Sequence, residues 1–315
     1  MAVVSGFIGD DAFDRVTGDI VPEKLKLLLA QALCCNINDG RLVKDDVVGD
    51  LGMSAVVPSS FKFVGSTTEC AMLVMASKFG FGYESLQREN PKVYRWNFSS
   101  SRKRMSTLIK LGEGTGFRLL CKGASEMILQ RCTKVIHRDG SVVDITKAQS
   151  DNYGEQISKL ASKGLRTICL AYRDFADEKT WKNGGDDGEG FEEGLTLIAA
   201  LGIEDPLRPD VPEAVKSCQR AGIVVRMVTG DNILTAKKIA EDCNIYDPAH
   251  GVAWEGPEFS AMTDEEALKD IDNLQILARS KPNDKHRLVT LLRERGRVVA
   301  VTGDGTNDGP ALRFA

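Results

Sequence analysis

The last third of the chain alternates short apolar runs with amphipathic segments. Strands are predicted at the apolar runs GIVVRMVTGD (222–231), LQILARS (274–280) and RVVAVTGDG (297–305). Helices are predicted at segments with apolar residues three and four positions apart, VPEAVKSCQRAG (211–222), NILTAKKIAEDCNI (232–245) and PNDKHRLVTLLRERG (282–296). Helices that alternate with apolar strands are typical of a parallel sheet covered on both faces, so this part is predicted to be an α/β domain.

The first two-thirds have a different rhythm, in which short segments alternate apolar and polar residues. An antiparallel sheet is predicted from KVYRWNF, MSTLIKL, FRLLCKG and RTICLAYRDF. Helices are predicted at 22–36, 67–80, 125–132 and 151–164, and surface loops at 49–60 and 182–194. This part is predicted to be an α+β domain. The change of pattern and three prolines predict a hinge at LGIEDPLRPDVPE (201–213).

Composition and charge exclude several classes of function. The 315 residues are 42% hydrophobic with a net charge of -4, which indicates a soluble globular protein and gives no reason to expect binding to nucleic acid or a membrane surface. The eight cysteines include no C-x-x-C pair, so we interpret them as small buried residues in a reducing cytosol. The three histidines are scattered, which argues against a histidine metal site or a Ser-His-Asp triad.

Polar residues follow the predicted strands of the α/β domain, at the edge where ligands bind in open α/β sheets. Thr229 and Gly230 precede a predicted helix N-terminus, which suits a phosphate. Asp304 and Asp308 lie four residues apart in a glycine-bearing loop, and carboxylate oxygens suit Mg²⁺. The alternative interpretations are a solvated turn for that loop and a simple helix cap for Asp231.

Three further clusters combine cations with glycine or aromatic residues. Lys285 lies in the first turn of a predicted helix, where the dipole disfavours a cation, so we interpret it as neutralising phosphate charge. Lys122 and Gly123 end a strand before a predicted helix, which also suits a phosphate. Phe98 precedes the basic run 102–104, and an aromatic face beside cations predicts base stacking. A solvated lysine and a core phenylalanine beside a solvated turn are the alternative interpretations.

Five motifs then occur in a fixed order: KGASE (122–126), DPLR (205–208), MVTGDN (227–232), ARSKPNDK (278–285) and VTGDGTNDGPAL (301–312). With this set in this order, the sequence resembles the P-type ATPases, cation pumps that pass through an aspartyl-phosphate. The stretch 201–232 is most similar to the plasma-membrane-type calcium pumps, the calmodulin-regulated or autoinhibited branch. The resemblance covers essentially the whole chain.

The resemblance implies a fold of both α/β and α+β class. An antiparallel-sheet nucleotide-binding domain (1–202) would be joined to an incomplete haloacid-dehalogenase-like Rossmann domain (203–315), which is most of the phosphorylation domain. The implied cofactors are ATP and Mg²⁺. The implied partners are ATP, the actuator and transmembrane domains of a parent pump, and calmodulin or an autoinhibitory tail on that parent. The parent would lie in the plasma membrane or an internal calcium-storing membrane, with this region facing the cytosol.

The resemblance implies roles for individual residues, and the patterns described above support those of Phe98, Lys122, Gly123, Thr229, Gly230, Lys285, Asp304 and Asp308. Nucleotide binding is assigned to Glu69, Phe98, Lys103, Lys122, Gly123, Arg166, Asp205, Arg208, Arg279 and Asn307. Catalytic roles beside the transferred phosphate are assigned to Thr229, Gly230, Asp231, Lys285 and Asp304. Mg²⁺ would be held by Asp304 and Asp308, and the resemblance implies that Phe98 stacks on the adenine.

Two departures from the family pattern affect the expected activity. The nucleophile motif D-K-T-G-T does not occur, and Ser100 stands where related pumps often have an arginine. The other groups only position and neutralise phosphate, so without the aspartate no phosphoenzyme can form. We therefore expect the ATP-binding cytosolic part of a P-type Ca²⁺-transporting ATPase, which binds nucleotide but does not pump. We interpret the end at Ala315 as a cut through the phosphorylation domain.

Three alternatives belong to other classes. A haloacid-dehalogenase-type phosphatase would share the TGD, lysine and GDGTND loops, but it needs an N-terminal aspartate nucleophile after an apolar strand. A non-catalytic nucleotide-binding or interaction module is the second alternative. A P-type pump for another cation is the third, and only its ion-binding residues would distinguish it.

Overall fold

The structure is a computed structural model that describes residues 1–44, 61–112, 116–176, 190–303 and 309–314. It consists of two compact units. Unit 1 comprises Met1–Leu160 and Thr167–Asp205, and unit 2 comprises Ala161–Arg166 and Pro206–Ala315. The predicted loop at 49–60 and most of the predicted loop at 182–194 lie outside the described residues.

Unit 1 is organised around one large sheet. The strands of this sheet are β1 (Ala2–Ile8), β2 (Asp11–Phe13), β5 (Lys92–Trp96), β6 (Arg104–Lys110), β7 (Phe117–Ala124), β8 (Cys132–Ile136), β9 (Val142–Asp144), β10 (Arg166–Phe175) and β11 (Leu195–Glu204). The strands β3 (Arg41–Lys44) and β4 (Phe61–Val64) pair with each other in a separate two-stranded sheet. Within the described residues the sheet has the order β2-β1-β11-β10-β7-β6-β5, with β8 against β11 and β9 against β8. The predicted antiparallel sheet is confirmed, with one parallel pair between β8 and β11.

The two strands β1 and β11 were not predicted, although they pair with each other inside this sheet. Every residue from Leu195 to Ile203 is buried, because β11 is covered on both faces. A strand buried on both faces reads as a continuous apolar run without alternation, which periodicity alone does not separate from a buried helix.

The helices of unit 1 are α1 (Glu23–Cys34), α2 (Thr67–Lys78), α3 (Tyr83–Glu89), α4 (Ser125–Leu129) and α5 (Lys147–Ser162). The four predicted helices are confirmed, with α4 ending early because Cys132 already begins β8. Helices α1 and α2 pack on one face of the sheet in a cluster that includes Leu120. Helix α5 packs on the other face in a cluster that includes Leu119, because neighbouring residues of a strand point to opposite faces.

Unit 2 contains a smaller, parallel sheet. Its strands are β12 (Met227–Val228), β13 (Val252–Glu255) and β14 (Leu274–Ala278), in the order β12-β14-β13. Its helices are α6 (Val211–Arg220), α7 (Ile233–Asp242), α8 (Gly256–Ala261), α9 (Asp264–Asp270), α10 (Pro282–Glu294) and α11 (Gly309–Phe314). Leu277 packs against α10 on one face of the sheet, and Ile276 packs against α7 on the other. The predicted parallel sheet covered on both faces is confirmed.

The membership of this sheet differs from the prediction. The prediction of a strand at 297–305 is wrong for the described part, 297–303, and the strand predicted at 222–231 is reduced to β12. Val298 is fully exposed, and Ile223 and Val224 are more than half exposed, so these apolar runs find no neighbouring strand among the described residues. A strand needs such a neighbour for its backbone hydrogen bonds. The third strand is β13, whose short run VAWE was overlooked.

Candidate functional site

A buried ion pair lies at the centre of the candidate site in unit 1. The Lys122 Nζ atom on β7 is 2.7 Å from the Glu69 Oε1 atom on α2, and both side chains are only 7% exposed. Glu69 lies in the first turn of α2, where its backbone N–H donates to the Oγ of the N-cap residue Ser66. The sequence predicted both residues as nucleotide ligands, and the structure brings them into direct contact.

The carboxylate of Glu69 is also held by a tight turn after α1. It accepts hydrogen bonds from the backbone N–H groups of Asn38, Asp39 and Gly40, at 2.9–3.1 Å. A Cβ atom at Gly40 would lie 2.5 Å from the Glu69 Cβ, so only glycine lets the turn approach this closely. With four donors around it, Glu69 fixes the ammonium group of Lys122 and the turn together.

Burial sets the charge properties of this pair. Burial lowers the pKa of Lys122 to about 8, although the negative charge of Glu69 opposes the shift. Burial alone would raise the pKa of Glu69, but the attraction of Lys122 and the hydrogen bonds to the carboxylate outweigh it, so this pKa lies below its usual range. The pair is therefore ionised at neutral pH, and Lys122 loses its charge at a lower pH than an exposed lysine would.

Three polar residues beside the pair were not predicted. Burial lowers the pKa of the Arg95 guanidinium, against the attraction of Glu69. The Arg95 Nε donates to the Thr107 Oγ1 at 3.4 Å, and that hydroxyl donates to the Asn36 Oδ1 at 2.8 Å. The sequence pattern that could have identified Arg95 and Thr107 is the alternation of side chains along β5 and β6. The two residues lie directly opposite each other, so their side chains share one face of the sheet.

The loop 97–103 carries the aromatic candidate. Phe98 is 59% exposed, which agrees with a stacking surface and not with the alternative of a core phenylalanine. Lys103 has a φ of 51°, and its backbone N–H donates to the Ser99 carbonyl at 2.8 Å. A Cβ atom at Gly123 would lie 2.5 Å from the Lys103 carbonyl oxygen, so the close approach predicted at Gly123 is an approach to this loop.

The candidate site in unit 2 lies where β12 ends. The Thr229 Oγ1 accepts from the Asp231 backbone N–H at 3.1 Å and lies 3.3 Å from the Asp231 Oδ2. The next residue, Asn232, is the N-cap of α7, and its Oδ1 accepts from the Thr235 N–H at 2.9 Å. The alternative of Asp231 as the helix cap is therefore wrong, and the Asp231 carboxylate is available for other contacts. It pairs with the Arg166 Nε at 3.3 Å.

The end of the neighbouring strand β14 fixes this turn through the backbone. The Arg279 N–H donates to the Asp231 carbonyl at 2.9 Å, and the Ser280 N–H donates to the Thr229 carbonyl at 3.0 Å. Arg279 has a φ of 50°, and its Nη1 lies 3.3 Å from the Gly230 carbonyl. Burial lowers the pKa of Arg279. The predicted convergence of Thr229, Asp231 and Arg279 is thus present in the structure.

Lys285 lies in the first turn of α10, as predicted, and is partly buried. The preceding residue, Asp284, is buried and was overlooked. Its Oδ2 accepts from the Lys281 N–H at 2.7 Å, and its Oδ1 accepts from the Ser260 hydroxyl at 2.6 Å. Asp284 therefore fixes the helix start that carries Lys285. The signal was a carboxylate three residues after Lys281, at the spacing of a helix cap.

The remaining predicted residues are not part of these contacts. Asp205 in unit 1 and Arg208 in unit 2 are both exposed. The proposed metal ligands Asp304 and Asp308 lie outside the described residues, as does Asn307. Across the ranges that the structure describes, no group of three or more His, Cys, Asp or Glu side chains could hold a metal ion, and no helix is long and apolar enough to span a bilayer.

The fold and the site geometry define a class of protein with an antiparallel α+β unit followed by a parallel α/β unit that carries polar groups at its strand ends. The model for the cytoplasmic domain N of P-type ATPases matches residues 24–210, and the model for haloacid dehalogenase-like hydrolases matches residues 125–315. The chain belongs to the P-type ATPase family.

Several curated proteins similar to this chain are calcium-transporting members of this family. The chain is 48% identical over 317 residues to the calcium-transporting ATPase PAT1 of Dictyostelium discoideum and 46% identical over 336 residues to the human plasma membrane calcium-transporting ATPase 4. Each match covers 100% of this chain and 26% of the relative. The chain spans about a quarter of the length of these curated relatives. Their names confirm the resemblance to plasma-membrane-type calcium pumps and support neither the phosphatase nor a pump for another cation.

Proposed function

We propose that this chain is the ATP-binding cytosolic part of a calcium-transporting P-type ATPase, whose full-length form couples ATP hydrolysis through an aspartyl-phosphate to Ca²⁺ export. The observation that carries the proposal is the buried pair of Lys122 on β7 with Glu69 on α2, in the same unit as the exposed Phe98 of the loop between β5 and β6. The calcium-transporting ATPases among the relatives support the choice of transported ion.

In unit 1 the nucleotide would bind through stacking and charge. The exposed ring of Phe98 would stack on the adenine, as aromatic side chains do on any base. Lys122 would line the same pocket with its ammonium group held by Glu69, and Lys103 would add a cation to the loop. Gly123 would act indirectly, by letting the loop approach β7.

In unit 2 the polar strand ends would hold the transferred phosphate. Thr229, Gly230 and Asp231 would border it, and Lys285 would neutralise its charge. Mg²⁺ would be held by the carboxylates of Asp304 and Asp308, because hard oxygen ligands suit this ion. The remaining nucleotide contacts are proposed for Arg166, Asp205, Arg208, Arg279 and Asn307.

The chemistry available to these residues is limited to binding and charge neutralisation. Phosphoryl transfer to an aspartate requires a nucleophile, and the sequence does not contain D-K-T-G-T. We therefore infer that the chain binds ATP without forming a phosphoenzyme. Its partners would be the remaining domains of the pump and, on that pump, calmodulin or an autoinhibitory tail. The parent would reside in a membrane with this region on the cytosolic side.

Calorimetric titration with Mg·ATP tests the nucleotide site. We expect F98A to weaken binding by about tenfold, the loss of one stacking contact. The matched control is L27A, because Leu27 on α1 is 52% exposed and has no proposed role. Equal ATP affinities for F98A and L27A would refute the proposed site. Incubation with γ-labelled ATP should leave no acid-stable protein-bound label, and a labelled aspartate would contradict the inferred lack of phosphorylation.

A further inference from the structure

Glu192 is a fully buried carboxylate that the proposed function does not use. It precedes β11 and is 0% exposed. Its Oε1 accepts from the Ser106 hydroxyl at 2.6 Å and from the Arg102 Nη2, and its Oε2 accepts from the Arg104 Nε at 2.5 Å. A carboxylate is rarely buried this completely unless several charged or polar donors compensate it, as they do here.

The donors around Glu192 belong to the end of the loop that carries Phe98. Arg102 lies in this loop, and Arg104 is the first residue of β6, where its Nη1 donates to the Arg102 carbonyl at 3.0 Å. Both backbone groups of the intervening residue Lys103 are hydrogen-bonded. Its N–H donates to the Ser99 carbonyl at 2.8 Å, and its carbonyl accepts from the Ala124 N–H at 3.0 Å. Glu192 thus holds residues 102–104, where the loop meets β6, against the sheet.

The residue before Glu192 contacts the other end of the same loop. The ring of Phe191 is buried, and its centroid lies 5.6 Å from that of Trp96, the last residue of β5. Phe191 also packs edge-on against Phe175 at 6.0 Å, which joins it to the core of unit 1. Two consecutive residues therefore fasten both ends of the loop 97–103.

The exposed ring of Phe98 depends on this arrangement. Since Phe98 is 59% exposed, packing of its side chain fixes the position of the ring only in part. The position of the ring therefore depends on the conformation of the loop backbone. Without the Glu192 carboxylate, two arginines at the end of the loop would lose their shared anion in a buried setting. A buried charge without a partner destabilises the fold by more than its hydrogen bonds had stabilised it. The loop would therefore shift to bring the guanidinium groups to water.

We propose that Glu192 is a positioning residue for nucleotide binding: it holds Arg102 and Arg104 so that Phe98 is presented to the adenine. The proposal rests on the proposed function, because it takes the loop as part of the ATP site. Glu192 itself does not touch the nucleotide. It determines affinity through the order of the loop.

The test uses E192Q, which keeps the shape of the side chain and removes its charge. Without ATP, we expect amide hydrogen exchange of the peptide 97–104 to become about tenfold faster, since a local opening would cost less. With Mg·ATP, we expect the Kd to rise about tenfold, the value of one charged hydrogen bond. In an F98A background the same substitution should change the Kd by less than about twofold, because the two residues act through one contact.

The matched control is D174N, which breaks the two-pronged ion pair of Asp174 with Arg118 elsewhere in the same sheet. It should leave both the loop exchange and the ATP affinity unchanged. If E192Q does not fold, S106A replaces it, because it removes one hydrogen bond to Glu192 and keeps both arginines; we then expect about threefold effects in the same directions.

Unchanged exchange in the loop, or an equal loss of affinity with and without Phe98, would overturn the role of Glu192. An equal loss in D174N would overturn it as well, since the effect would then be general destabilisation. Unchanged affinity in F98A alone would refute the proposed function instead, while the exchange rates would still decide whether Glu192 holds the loop.

Discussion

The two candidate sites are built from the same kind of ion pair in very different surroundings. In unit 1 the side chains of Lys122 and Glu69 are each 7% exposed, whereas in unit 2 those of Arg166 and Asp231 are 34% and 25% exposed. Burial lowers the pKa of Lys122 to about 8, and four donors hold its partner. The pair in unit 2 is screened by water, and its turn is fixed mainly by backbone hydrogen bonds.

The difference in burial between the two ion pairs indicates what keeps each site rigid. In unit 1 the sheet and the turn at 38–40 fix the charged side chains themselves, so a substitution there alters stability and binding together. In unit 2 the backbone of the strand ends is fixed and the side chains remain partly open. Substitutions of these side chains should therefore change phosphate binding with little effect on folding.

The largest expected effect comes from breaking the buried pair. E69A leaves the Lys122 ammonium buried without its anion, and we expect unit 1 to lose about 3–5 kcal/mol of stability. Amide hydrogen exchange of β7 in increasing urea measures this loss for unit 1 alone. The matched control is E193A, which removes a half-exposed partner of Arg131 and should cost less than about 1 kcal/mol. Equal losses in the two variants would contradict the buried pair.

Gly123 in unit 1 and Gly230 in unit 2 differ in the same way in how closely other atoms surround them. A Cβ atom at Gly123 would lie 2.5 Å from the Lys103 carbonyl, so we expect G123A to destabilise unit 1 by about 1–3 kcal/mol. A Cβ atom at Gly230 would meet no described atom within 4 Å, and G230A should change stability by less than about 0.5 kcal/mol. Hydrogen exchange of β7 and β14 measures the two effects, and a G230A loss as large as that of G123A would contradict the difference.

The pH dependence of Lys122 should act on stability and binding in opposite directions. Its pKa is about 8 when folded and 10.5 in the unfolded chain, so the unfolded chain binds more protons between these values. The contribution of Lys122 to the free energy of unfolding therefore rises with pH from about 8 to 10.5. The affinity for ATP should fall about tenfold as the charge is lost, like other charged contacts. Both trends should disappear in K122M, and their persistence there would exclude Lys122 as the cause.

Of the two ion pairs, the smaller effect is expected at the open pair of unit 2. D231N should change the stability of unit 2 by less than about 1 kcal/mol, because Asp231 and Arg166 are partly solvated. Hydrogen exchange of β14 provides the measurement. A loss near that of E69A would show that the two ion pairs do not differ in the way described.

The sequence predicted the elements of unit 1 that carry its site. The helix with Glu69 and the strand with Lys122 follow from periodicity, and the five ordered motifs identify the family. The contact between Glu69 and Lys122 did not follow, because it depends on how a helix and a strand 53 residues apart pack together. Nor did the role of Glu192, which lies in an acidic, glycine-rich stretch that local composition marks as a surface loop.

In unit 2 the strand β14 and the polar ends of β12 and β14 were predicted correctly, but only part of the run 222–231 forms a strand and the described part of 297–305 forms none. The run RVVAV has the composition of a buried strand, yet Val298 is fully exposed. Composition reports only the tendency of a segment to pair, and pairing needs a neighbour with free backbone groups. The short run VAWE has such a neighbour in β14 and becomes a strand. The domain bounds of 1–202 and 203–315 stay predictions, as do the roles of all the proposed site residues.

We propose that unit 1 alone binds the adenine nucleoside, through Phe98 and the residues around Lys122. Its most direct test is an amide-resolved NMR titration of the chain with adenosine, which lacks phosphates. We expect saturable chemical-shift changes in the loop 97–103 and at residues 122–124, with no changes at 229–231 or at Lys285. Shifts confined to unit 2, or none in the loop that carries Phe98, would contradict it.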